Sequence, residues 1–153
     1  MFEAVRSFLA GAKIIIASDG IEENEVARVP TLPVIVCSAI AVEIALKAIL
    51  KLRGISRPRG DGHDLHQLFS MLDKEEQNAI LNFQQDYTGL PANQARLALT
   101  SAKDVFKTWR YAYEQATLET TPEFIFHFGL ALSEYIQLNA VIERSSNGWK
   151  LLS

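Results

Sequence analysis

The chain has 153 residues, room for one ordinary domain, so positions 1–153 are read as a single unit. With 48% hydrophobic and 22% charged residues it is neither a disordered tail, a collagen-like fibre nor a disulfide-built mini-protein. The net charge of −3 excludes a wholly basic nucleic-acid wrapper, and one cysteine closes no internal bridge and fits a reducing cytoplasm. A mean hydropathy of +0.06 is high for a soluble chain and points to apolar surface buried against a partner.

The N-terminal stretch places Phe2, Val5, Leu9, Ala12 and Ile16 at helical spacing, which predicts a helix over 2–17 ended by Asp19 and Gly20. Glu3 and the break at Lys13 argue against a secretory signal. The acidic run from Asp19 to Glu25 reads as a solvated connector.

From Pro33 to Arg53 nearly every residue is apolar or small, so the predicted helix is hydrophobic around most of its circumference and must be enclosed by neighbours. Its uncharged core, Leu32 to Val42, is about half the ~20 residues a membrane span requires. The expectation is a buried helix of a cytoplasmic protein with no membrane role. Gly54 ends it, and the stretch to Gly62 reads as a loop.

Asp61 is expected to cap a helix starting near Gly62, with Asp64 in its first turn and Leu65, Leu68, Phe69 and Leu72 on one face. Asp73 and Glu76 form a predicted capping box for the next helix, which carries Ile80, Leu81 and Phe83 as far as the turn 87–91. A further helix follows Pro91 to about Leu118. Thr120, Pro122 and Glu123 open the last one, which runs to about Arg144. Nothing alternates with period two. The predicted class is all-α, an up-and-down bundle of five or six helices.

Four polar interruptions of this pattern carry chemistry. Glu43 and Lys47 are the charges of the enclosed helix and stand one turn apart, so they form either a structural ion pair or a carboxylate that orients a base. Between Lys47 and Arg59 the chain carries Lys47, Lys51, Arg53, Arg57 and Arg59 with no acid, a concentrated positive stretch suited to a phosphate or simply a solvated loop. His63 follows it, either as an acid–base group or as a hydrogen-bonding spacer. The run from Phe106 to Glu114 puts Phe106, Trp109, Arg110 and Tyr113 on one face, with Trp109 as core and Arg110 reaching towards Glu43. His127, among phenylalanines, reads as a hydrogen-bonded interior residue. His63 and His66 lack the further ligands of a zinc site, so neither metal nor cofactor is expected.

The segment Cys37-Ser38-Ala39-Ile40-Ala41-Val42-Glu43-Ile44-Ala45-Leu46-Lys47-Ala48-Ile49-Leu50, a Gly-rich gap, Gly62-His63-Asp64-Leu65-His66-Gln67-Leu68-Phe69, and the later Trp109 to Glu114 together resemble the HEPN superfamily. The resemblance implies a compact helical bundle, a homodimer, and a setting in bacterial toxin–antitoxin, defence or nucleotide-associated systems. Ribonuclease members of that family carry an arginine followed, after four to six residues, by a histidine near the last helices. Here Gln115, Ala116 and Thr117 stand at that distance from Arg110, and no histidine follows Arg144. Arg57 and His63 meet the spacing, but early in the chain.

The leading expectation is a non-catalytic, dimerising HEPN-like domain that binds a nucleotide, an RNA or a partner protein through Lys47, Arg57, Arg59, His63 and Arg110. A metal-independent endoribonuclease using His63 with Arg57 or Arg110, or a structural subunit with no nucleic-acid role, are the alternatives. Glu43 is expected to approach Arg110 or His63 in the folded chain.

Overall fold

The computed structural model describes residues 2–17, 31–55, 62–102 and 122–146. All regular structure among them is helical: α1 (Phe2–Ala17), α2 (Thr31–Leu52), α3 (Leu65–Ser70), α4 (Lys74–Phe83), α5 (Gln85–Thr88), α6 (Ala92–Ser101) and α7 (Pro122–Ser146). The all-α class read from the sequence is the observed one.

The long helices α1, α2 and α7 pack against one another; α3 lies on α2, both α4 and α5 lie on α7, and α6 packs on α3 and α4. Helix α1 turns Val5, Leu9 and Ala12 inward. Ile15 also packs on the core, whereas Ile16, expected on the inner face, is 41% exposed. Helix α2 sits in the middle, with Val34, Ile35, Ala39, Ala41, Val42, Ala45, Leu46, Ile49 and Leu50 all buried. That circumferential burial accounts for its uninterrupted apolar sequence. By length and composition Pro33–Leu52 meets the requirement of a membrane span, longer than the uncharged core alone suggests, and two-thirds of its most apolar window is buried inside the protein. Helix α7 contributes Ile125, Phe128 and Leu132 as fully buried side chains. At Gly129 a methyl group would stand 2.9 Å from Leu9 Cδ2 and 3.5 Å from Val42 Cγ2, so the absent side chain is what lets α7 approach α1 and α2.

The end of α2 is fixed by its own backbone. Ile55 N donates to Leu50 O and Gly54 N to Lys51 O, with Gly54 at φ +67°, the paired bonds of a left-handed C-terminal cap. Ile55 packs back on the core, the hydrophobic contact that accompanies such a cap.

One predicted helix start differs from the observed one, and one predicted capping box is only half made. Helix α3 begins at Leu65 rather than near Gly62, because Gly62 has φ +67° and cannot enter a right-handed turn, while Asp64 Oδ1 accepts from Gln67 N at 2.8 Å as the cap. Asp61 lies outside the described residues. Asp73 does cap α4, accepting from Glu76 N at 2.7 Å, but the Glu76 carboxylate turns inward instead of closing a capping box. The predicted connector 19–25, Thr120 and the stretch 103–118 also lie outside the described residues.

Candidate functional site

Glu43 stands a little past the middle of α2 and is only 8% exposed. Its Oε1 accepts from Lys47 Nζ at 2.5 Å, one helical turn on, the favourable order of acid before base along a helix. Its Oε2 lies 3.1 Å from His63 Nδ1. The sequence expectation that Glu43 meets Arg110 or His63 is thus met on the His63 side; Arg57, Arg59 and Arg110 lie outside the described residues.

His63 is held by what flanks it. Gly62 provides the left-handed turn before it and Asp64 is locked as the α3 cap after it, so the ring is delivered to α2 by a fixed connection rather than by a helix face. Burial grades across the cluster: the Glu43 side chain is 11% exposed, that of Lys47 33% and that of His63 55%. One sequestered carboxylate therefore grips two bases from beneath. A carboxylate only accepts, so Nδ1 is the ring nitrogen that donates to it, which fixes the tautomer of the ring. Lys47 has two ammonium protons beyond the one given to Glu43.

A second polar node was missed in the sequence. Arg53, just past α2, donates Nε to Glu76 Oε2 at 2.8 Å and Nη2 to Glu76 Oε1 at 3.0 Å, a two-pronged pair with a carboxylate only 6% exposed. Tyr135 Oη of α7 also donates to Glu76 Oε1, at 3.3 Å. Burial, then the Glu76 charge and this hydrogen bond, raise the Tyr135 hydroxyl above its ordinary value, with Arg53 opposing. Arg53, counted in the sequence with the phosphate-seeking bases, thus serves to tie the end of α2 to α4 and α7. The predicted capping box hid this: Glu76 has the right spacing for both roles.

Beside it, Gln77 Nε2 donates to Leu72 O at 2.7 Å and Oε1 accepts from Arg96 Nη1 at 2.9 Å, while the Arg96 guanidinium lies 5.7 Å above the Phe69 ring centre. Gln84, fully buried, donates to Leu81 O and Leu90 O, both at 2.8 Å. A visible signal existed for both. Gln77, Ile80, Leu81 and Gln84 occupy successive positions of one inward stripe, so the two amides stand where core residues belong.

His127 is half-buried, its Nδ1 2.8 Å from Glu123 O of the preceding turn and its ring edge-on to Phe126. It is hydrogen-bonded as its sequence reading expects, but half-exposed rather than interior. Among the described residues no group of three or more histidine, cysteine or acidic side chains is arranged to hold a metal ion.

Comparison with protein-family models, curated proteins and solved structures finds no match. What the Glu43 cluster does must follow from its own chemistry. Two partly exposed bases anchored on one buried acid concentrate N–H donors at one edge of α2, the kind of group that charge-assisted hydrogen bonds to an oxyanion require. The same carboxylate–imidazole contact is a means of orienting an acid–base histidine.

Proposed function

We propose that this chain is a non-catalytic, HEPN-like helical domain that forms a homodimer and binds a phosphate-bearing ligand, a nucleotide or an RNA, at the Lys47–His63 edge of α2. The observation that carries the reading is the graded cluster itself: a nearly buried Glu43 holding Lys47 at 2.5 Å and His63 at 3.1 Å. An acid kept out of water needs its partners. These partners keep a third to a half of their side chains in solvent, where an incoming anion meets them first. Sequence supports the rest. The two segments that resemble the HEPN superfamily, 37–50 and 62–69, are those that supply Glu43, Lys47 and His63, and Arg57 and Arg59 fall between them in the chain.

Fluorescence anisotropy with labelled nucleotides and short RNAs tests the reading, using the wild-type chain and His63→Asn. Saturable binding weakened at least tenfold by the substitution, in a protein that light scattering finds dimeric, is the expected result. Equal binding by both proteins, or none, dismisses it.

The Glu43–His63 contact also favours a second reading, a metal-independent endoribonuclease in which Glu43 orients His63 as the acid–base group. Purified protein incubated with RNA in a chelating buffer decides between the two. Cleavage abolished by His63→Ala, with the helical spectrum unchanged, establishes catalysis; intact RNA at micromolar protein leaves the binding domain.

A further inference from the structure

We draw no further inference here: the strongest candidate, the half-buried apolar stripe of Val36, Cys37, Ile40 and Ile44 along α2 that leads to Lys47, is a helix face, and nothing in the structure shows what covers it.

Discussion

Replacing Glu43 by methionine separates the two roles a sequestered carboxylate can have. The substitution keeps the length of the side chain but makes it apolar, in a position that is 8% exposed. It removes the Lys47 pair, worth about 0.2–1 kcal/mol because a third of the Lys47 side chain is in solvent. It also removes the His63 hydrogen bond, about 0.5–1.5 kcal/mol. Against these losses, a charge no longer has to be kept from water, and exchanging a buried ionic group for an apolar one of similar volume is often neutral or stabilising. Lys47 and His63, both partly exposed, hydrate in its absence. The net change is expected within about 1 kcal/mol of zero, a melting-temperature shift of about 2–4 °C or less for a chain of this size. Phosphate affinity should nevertheless fall at least tenfold, because the two bases lose the carboxylate they share. Thermal unfolding followed by circular dichroism, beside calorimetric titration with adenosine monophosphate, measures both quantities. A stability loss above about 3 kcal/mol, the range for breaking a structural buried pair, together with unchanged affinity, would make Glu43 a structural ion pair with no part in binding.

Other consequences concern the frame around the site. Ser38 is fully buried in α2 and its hydroxyl has no hydrogen-bond partner among the described residues, so Ser38→Ala should stabilise the fold by about 1 kcal/mol in urea unfolding; a loss of stability would reveal a partner for the hydroxyl. Glu76→Gln weakens the two-pronged Arg53 contact and should cost about 1–2 kcal/mol, below the upper end for hydrogen bonds to charged groups because Arg53 is a third exposed. The same change should lower the Tyr135 hydroxyl part of the way to its ordinary value, read by tyrosinate absorbance, since burial still acts on it. Tyr87 donates to Glu134, and that bond, with some burial and the charges of Glu134 and Asp86, pushes its hydroxyl from 10.0 up to about 12. A pKa raised on folding stabilises fully below pH 10 and is lost as pH rises towards 12. Tyr87→Phe should therefore lose less stability than wild type across that window.

The fold was readable in the sequence wherever one periodic stripe decided the structure. The inward Val5, Leu9 and Ala12 set α1, the unbroken apolar run of α2 required enclosure, and the Asp73 cap marked α4. Boundaries failed where two neighbouring residues competed for one role. Asp61 and Asp64 both suit a helix cap, and the left-handed backbone of Gly62, which no pattern of side chains announces, settles it for Asp64. Of the site, the Glu43–Lys47 pair followed from helix geometry alone, and the need of an enclosed carboxylate for partners pointed towards His63. The Arg53–Glu76 node did not follow, because its partners stand 23 residues apart and Glu76 had a sufficient local explanation as a capping residue. Gln77 and Gln84 were legible in principle, as amides at core positions of an amphipathic helix.

The most direct test of the central claim, that Glu43 presents Lys47 and His63 together to a phosphate, is nitrogen-15 NMR of the histidine rings during titration with adenosine monophosphate. The chain has three histidines, and His127, bonded to its own helix backbone on α7, is an internal control. The His63 ring nitrogens and the Lys47 ammonium should shift together and saturate with one affinity while His127 stays still. A still His63 at ligand saturation, or His127 moving as far as His63, would contradict the claim.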